Sequence, residues 1–517
     1  MSEKRVLMVA AENDALPGAK VGGVGDVIRD LPGALAKHNC IVDVVIPSYG
    51  FLSRLNNLEP CGECDVYFRG QPAKVQVLKV KDRKQSVTNY IMHHEEFYPK
   101  GETVYCNDEE GRPFATDATK FAFFCAAVAQ ALVSGILPRP NVIHCHDWHS
   151  ALLLVLMKYA REYRSLTNIH TVYTIHNLAM QGIRPVKDDV SSLDAWFPGL
   201  RYSFDKVLDP RFTDCINPMR AGILLADKVN TVSPTYAKEI LQASDHKNGI
   251  YGGEGLEYDL HRRSERGELF GIINGCEYPA NVNYKPLTRA KLIPLMLGNI
   301  ELWASKSVQL ATAHWLAEKR IAHWQTQKNV GFTVVSVGRL TEQKARLLQT
   351  PLADNRPAIY HLLDKLGSHG TLLMLGSGDA SMEKFLVQAS GANKNFIFLN
   401  GYSDALSQEL FKFGNLFLMP SSFEPCGISQ MLAMRAGQPC LVNGVGGLKD
   451  TVEHTKNGFV FEASNVNDQA QAMVDLFTEA MGLYNKNREI WDALVDQAKK
   501  ERFTWSSSAK QYIDLLY

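Results

Sequence analysis

The chain has 517 residues, enough for two or three domains with large buried cores. Its 55 Lys and Arg balance 55 Asp and Glu, which argues against nucleic acid or an anionic membrane as the main partner. At 45% hydrophobic and 21% charged, the composition is that of an ordinary globular protein. The apolar run in the opening "MSEKRVLMVAAEN" is too short for a signal peptide and reads as a first strand. "FAFFCAAVAQALV" falls short of a membrane span, so a cytoplasmic protein is expected. Ten cysteines without a regular framework fit reduced thiols. Cys61 and Cys64 in "CGEC" have the spacing of a redox or half-zinc motif. No second CxxC exists, so they read as a pair in a surface loop.

Along the chain, short β-rich runs alternate with helical patterns, the signature of βαβ units and parallel sheets. The first half offers "RVLMVAAE", "IVDVVIP", "NVIHCHD", "HTVYTIHN" and "KVNTVS" as buried strands. Between them, "DVIRDLPGALAKH", "DATKFAFFCAAVAQALV" and "HSALLLVLMKYAREY" read as helices. From about Cys64 to His94 the alternation of apolar and polar residues predicts a small antiparallel insertion. The Gly-rich, charged "KNGIYGGEGLEYDLHRRSERGE" suits a mobile loop near a hinge. The second half repeats the pattern with "GFTVVSVG", "TLLMLG", "NFIFLN", "NLFLMP", "QPCLVN" and "GFVFE". The expected architecture is two doubly wound α/β domains facing a central cleft. Ligands of such sheets bind beyond the carboxyl ends of the strands. The domains are expected at 1–241 and 242–498, with 499–517 returning to the first.

The motifs cluster at those predicted strand ends. In "PGAKVGGVGDVIRDLPGAL", Gly22, Gly23 and Gly25 would let backbone N–H groups at a helix start approach a phosphate, and Lys20 adds a positive charge. The spacing is not GxGxxG and no acidic residue follows in the dinucleotide manner, so a NAD site is not expected. A plain tight turn is the competing reading. In "HCHDWHS", His144 and His146 share one face of a strand, as metal ligands would. No third converging ligand is evident, and a strand carrying polar residues into a cleft is preferred. Asp147 at its tip reads as an acceptor for a substrate hydroxyl. Trp148 is open to two readings, sugar stacking or core. "YTIHNLAMQG" places His176 and Asn177 at another strand end, where a structural histidine is the alternative. In "SVGRLTEQK", Arg339 and Lys344 lie on a predicted loop and fit a diphosphate as a planar fork and a point charge. A solvated surface pair is the alternative there. In "SSFEPCGISQMLAMRAG", Glu424 follows the fourth strand of the second half and would face a sugar. Gly427, Ile428 and Ser429 open a helix whose N–H groups and dipole favour a diphosphate. "NGVGGLKDTV" supplies another glycine turn before a helix at that edge.

The ordered set "KVGGVGDV", "HCHDWHS", "VYTIHNLAMQG", "INPMRAGILLADKVNTVSPTYAKEI", "GIINGCEY", "GRLTEQK" and "EPCGISQMLAMRAGQP…GVGGLKDTV" resembles the bacterial glycogen synthases and plant starch synthases. These are retaining nucleotide-sugar glucosyltransferases of the two-domain GT-B fold, and the similarity covers nearly the whole chain. "FTWSSSAKQYIDLLY" looks like the family's last helix, which crosses back to the first domain. The resemblance implies that Lys20, Gly22 and Gly23 contact donor phosphate and that Asp147 and His176 line the sugar and acceptor side. It implies that Arg339 and Lys344 hold the diphosphate, and that Glu424 and the helix start after Cys426 hold donor glucose and phosphate. It implies no cofactor and no metal, ADP-glucose as donor and an α-1,4-glucan as acceptor; oligomeric state is left open. Two alternatives share the fold: another nucleotide-sugar enzyme, using UDP-glucose or a different acceptor, and a glucan-binding homologue without turnover. Three departures stand out. Ala345 and "RLLQT" replace the usual Gly and Asp-Leu, predicting an altered loop at Lys344. "NGCEYPANVNYKP" is longer than the family's pattern and lacks its tryptophan. Thr288 to Lys328 matches poorly.

Overall fold

Strands buried on both faces are continuous apolar runs, and this is how the two sheets are built. The computed structural model describes residues 3–81, 86–109, 111–279, 284–306 and 311–517. Part of the expected insertion and parts of the two poorly matching segments lie outside the described residues: 82–85, 280–283 and 307–310.

In the first half the strands are β1 (Lys4–Val9), β2 (Cys40–Pro47), β3 (Leu58–Phe68), β4 (Gln71–Val80), β5 (Val87–His93), β6 (Val142–His146), β7 (His170–Ile175), β8 (Lys228–Thr231) and β9 (Leu269–Gly271). They form one nine-stranded sheet, among the described residues, in the order β9-β8-β7-β6-β1-β2-β5-β4-β3. All neighbours are parallel except β5-β4 and β4-β3, the antiparallel insertion read from the alternation. Val6 pairs with Val42 on one side and Val142 on the other, so chain order reverses between β1 and β6. That switch point opens a crevice beyond the carboxyl ends of the strands.

The second sheet holds β10 (Thr333–Val337), β11 (Thr371–Gly376), β12 (Phe396–Asn400), β13 (Leu416–Met419), β14 (Cys440–Asn443) and β15 (Gly458–Phe461). Its order is β12-β11-β10-β13-β14-β15, all parallel, with the switch between β10 and β13. Successive residues alternate between two cores, as the period of two requires. Val334 and Leu372 pack toward Trp491, Val335 and Leu373 toward Trp324.

The chain divides into two compact units: 1–244, 251–275 and 505–517 in the first, 245–250 and 276–504 in the second. Three expectations are corrected. Residues 251–275 belong to the first unit, because β9 pairs with β8 and extends that sheet. The stretch expected as a mobile loop contains a helix, Glu257–Glu265, with Leu260 buried and Arg220 bonded to Asp259 at 2.6 Å. The returning segment starts at Trp505 rather than 499, since the helix Arg488–Lys500 packs with the second unit. Ala115–Val133 does reach the length and composition of a membrane span, yet it is mostly buried inside the protein.

Candidate active site

In the second unit, the site is built where β10 and β13 part. Beyond β10 the backbone stays zipped to its neighbour: Leu340 N–H donates to Ser377 O at 2.9 Å and Asp379 N–H to Leu340 O at 2.7 Å. Arg339 therefore projects from a fixed turn. Its guanidinium is exposed and makes no hydrogen bond or ion pair with a described residue. Lys344 is not on a loop, as expected, but on the helix Glu342–Gln349. Ala345 on that helix is 4% exposed, its methyl part of the core. Alanine favours a helix interior over glycine by about 1 kcal/mol, so this departure steadies the backbone that carries Lys344.

Glu424, the residue after β13's Pro-Ser-Ser-Phe extension, is 5% exposed. Lys344 Nζ lies 2.5 Å from its Oε2, and Ser421 Oγ donates to the same oxygen at 3.2 Å. Gly446 and Gly447 of "NGVGG" serve this segment. Gly446 has φ +45, and a Cβ there would sit 2.0 Å from Glu424 O. Gly447 N–H donates to Glu424 O and Pro425 O, both at 3.2 Å. This turn clamps the Glu424 backbone. Cys426 is buried, and its carbonyl accepts from Gln430 Nε2 at 3.2 Å. Gly427 (φ +77), Ile428 and Ser429 lead into the helix Ser429–Ala436. Their N–H groups have no described hydrogen-bond acceptor, as the first turn of a helix dictates. An unpaired guanidinium, a lysine, a buried carboxylate and open N–H groups thus share one sheet edge.

The first unit is different. The Gly22 N–H, expected to face phosphate, donates to Glu12 Oε2 at 2.6 Å, and so does the Val21 N–H at 2.7 Å. Glu12 is 2% exposed and its Oε1 accepts from Tyr105 Oη at 2.8 Å. A buried carboxylate needs such donors, and it takes those nearest. Lys20 Nζ is held by Asp26 at 2.7 Å and Asp14 at 3.3 Å. Gly25 is closely approached: a Cβ would stand 3.1 Å from Lys20 Cγ and 3.2 Å from Glu12 Oε2, so those side chains would have to give. Gly23, the first residue of the helix Gly23–Ala36, has open space around it. The sequence reading missed Glu12 and Tyr105. The signal for Glu12 was present in "VAAEN", a lone acid at the tip of an apolar strand, the feature that singled out Glu424.

Asp147 begins the helix Asp147–Tyr159 directly after β6, with φ +54. Such a conformation costs on the order of 1–3 kcal/mol and persists only where surroundings enforce it. Here its Oδ1 accepts from His176 N–H at 2.7 Å and Asn177 N–H at 3.4 Å. So Asp147, expected to accept from a hydroxyl, ties the end of β6 to the end of β7 through Oδ1, while Oδ2 has no hydrogen-bond partner among the described residues. Burial pushes the Asp147 carboxyl up to about 7, against the pull of the two N–H donors. His176 Nε2 is 3.0 Å from His146 Nδ1, and burial lowers His176 to about 3. Trp148 resolves as core: it is 3% exposed, and Gly182 packs so closely that a Cβ would lie 2.2 Å from the ring. In "CGEC", Cys64 is buried on β3 and Cys61 exposed at an irregularity of the same strand, so the pair is in a strand rather than a loop.

Residues 5–262 match the model of the starch synthase catalytic domain, and residues 319–491 that of glycosyl transferases group 1. Glycogen synthase of Desulfitobacterium hafniense is 31% identical over 526 residues, covering 98% of this chain and 97% of that protein. Glycogen synthase of Streptococcus gordonii is 33% identical over 522 residues, covering 99% of both. The catalytic domain of Starch Synthase IV from Arabidopsis thaliana, solved bound to ADP and acarbose, aligns with a TM-score of 0.75 at 26% identity, covering 100% of this chain and 99% of that one. Sucrose-phosphate synthase from Thermosynechococcus elongatus, at 16% identity and a TM-score of 0.55 over 99% of this chain and 98% of its own, shares the fold alone. Two Rossmann-like units with these neighbours define a GT-B glycosyltransferase. The chain belongs to the glycogen and starch synthase family of glucosyltransferases. These relatives do not favour a different transferase or an inactive homologue.

Proposed function

We propose that the protein transfers glucose from ADP-glucose to the non-reducing end of an α-1,4-glucan, with retention of configuration, in the cytoplasm and without a metal ion. One observation carries this reading. The Lys344–Glu424 pair stands at the same sheet edge as the open N–H groups of Gly427, Ile428 and Ser429 and the unpaired Arg339. Such a set suits a sugar diphosphate: cations and a helix start for the phosphates, a carboxylate for the glucose hydroxyls. That the Arabidopsis relative was solved with ADP supports adenine as the base.

Catalysis is then mainly stabilisation of the departing diphosphate, each preorganised donor contributing roughly 2.7–4 kcal/mol. Arg339 and the helix start take up the charge that develops as the glycosidic bond breaks. With Lys344 they supply the neutralisation that a divalent ion provides elsewhere. The acceptor hydroxyl attacks the face the phosphate leaves, and a phosphate oxygen takes its proton. Glu424, anchored by Lys344, orients the sugar rather than forming a covalent intermediate. In the first unit, Asp147 Oδ2 and His176 are assigned to the sugar and acceptor side, and Lys20 with Gly22 and Gly23 to donor phosphate. That last assignment requires Glu12, Asp14 and Asp26 to yield their donors. The test is incubation with ADP-glucose and a maltooligosaccharide in EDTA, following ADP release, chain growth and the anomeric configuration by NMR. Growth with new α-1,4 links supports the reading. Equal or better use of UDP-glucose overturns the donor assignment, and loss of activity in EDTA overturns metal independence.

A further inference from the structure

His144 and His146 of "HCHDWHS" are both fully buried and both held neutral, since burial drives their pKa values far below that of a free imidazole. His144 is fixed at both nitrogens: Nδ1 lies 2.7 Å from Tyr517 Oη and Nε2 2.7 Å from Thr174 Oγ1. Tyr517 is itself anchored, its carbonyl accepting from Lys4 Nζ at 2.7 Å, and the carbonyl before it lies 2.7 Å from His170 Nε2. The His146 ring stacks on His144, with centroids 4.1 Å apart and planes 27° from parallel. His146 Nδ1 then meets His176 Nε2 at 3.0 Å, while His146 Nε2 is buried with no partner.

This asymmetry fixes the protons. One of the two facing nitrogens must donate and the other accept. If His176 donated, the His146 proton would sit on Nε2, a buried N–H with no acceptor, which folded proteins avoid more strictly than a bare acceptor. His146 therefore donates through Nδ1–H, and His176, accepting at Nε2, keeps its own proton on Nδ1. That nitrogen has no protein partner among the described residues.

Resting on the assignment of His176 to the sugar side, we propose that His146 is a positioning residue, steadied by His144 and Tyr517, that locks His176 as the Nδ1–H tautomer. The ring then presents a donor, not an acceptor, to a sugar hydroxyl.

The tautomer is read directly by 15N NMR of the ring nitrogens in wild-type protein labelled at histidine, with the His176 signal assigned by its loss in His176→Asn. An Nδ1–H pattern is expected; an Nε2–H pattern overturns the proposal without touching the assignment of His176. His146→Asn keeps an amide N–H near the place of Nδ1–H, whereas His146→Leu removes it. His146→Leu should lower kcat on the order of tenfold to a hundredfold, the range for a displaced contact, with KM for the nucleotide sugar little changed. His146→Asn should recover most of that loss. Full activity of His146→Leu, or equal loss in both His146 variants when both melt normally, overturns the positioning role. Full activity of His176→Asn instead removes the assignment on which the proposal rests.

Discussion

Lys344 Nζ stands 2.5 Å from Glu424 Oε2, so two residues read separately from the sequence as phosphate and sugar contacts are partners of each other. Glu424 is buried and Lys344 about three-quarters so. Removing one member of a buried pair leaves an uncompensated charge, at a cost of about 3–5 kcal/mol when burial is complete and less here. Lys344→Ala should therefore lose both turnover and stability. Glu424→Gln, which keeps shape and hydrogen bonding, should lose turnover steeply while holding the fold and ADP affinity. In the double variant much of the stability lost in Lys344→Ala should return, because no buried charge is stranded. Urea denaturation of the four proteins measures this coupling. Additive losses would mean that the pair does not hold in solution.

Arg339 offers the cleaner separation of chemistry from folding. Its guanidinium is exposed and touches no described partner, so Arg339→Ala has no native contact to lose. We expect an unchanged denaturation midpoint and a drop in kcat on the order of a hundredfold, with weaker ADP binding by calorimetry. Near-normal turnover would make Arg339 a plain surface charge.

The strands were legible because parallel sheets write themselves as apolar runs: "TLLMLG" became β11 and "FIFLN" of "NFIFLN" became β12, with every residue of the two strands but Asn400 buried. The same rule located the site, since Arg339, Glu424, Asp147 and His176 all follow strand ends. Pairing was not legible. No local pattern tells that Glu12 reaches across to Val21 and Gly22, because a strand tip and the next loop meet only through the fold. The region 251–275 misled for a related reason. Its glycines and charges look like a linker, yet Leu260 and the short β9 find a ready-made sheet edge to join.

Glu12 gives a third test. Glu12→Ala strands two N–H groups and the Tyr105 hydroxyl, each of which costs about 1–3 kcal/mol if water cannot reach it. The melting temperature should fall. Glu12→Gln should cost less in stability, since its carbonyl oxygen in the place of Oε2 still accepts from both loop N–H groups. If the glycine loop binds phosphate by displacing Glu12, Glu12→Gln should bind ADP-glucose at least as tightly as wild type. Weaker binding would make Glu12 a permanent strut of that loop.

The last expectation concerns acid. His144 and His176 have pKa values of about 3 where an unfolded histidine has 6.5, because burial penalises the charged ring; His146 and His149 are depressed in the same sense. Below pH 6.5 the unfolded chain takes up protons that the native one refuses. The stability these rings contribute is thus complete above pH 6.5 and drains as pH falls toward 3. At pH 5 His144 and His176 have each forfeited about 2 kcal/mol, at 1.36 kcal/mol per pH unit, and His146 and His149 act in the same direction. Asp147 runs the other way: raised from 3.8 to about 7, it favours the native state at low pH and loses that advantage as pH climbs to 7. The carboxyl offsets roughly one ring, and His170, raised by its bond to Asp227, acts with it, while the remaining buried rings stand against them. The urea midpoint should therefore fall between pH 7 and pH 5. His144→Gln, which keeps one amide in place of the ring, should lower the midpoint at pH 7 but flatten its slope with pH. A wild-type midpoint that holds steady down to pH 5 would mean that the ring cluster charges in the folded protein, so that neither its stacking nor its hydrogen bonds depend on neutral histidine.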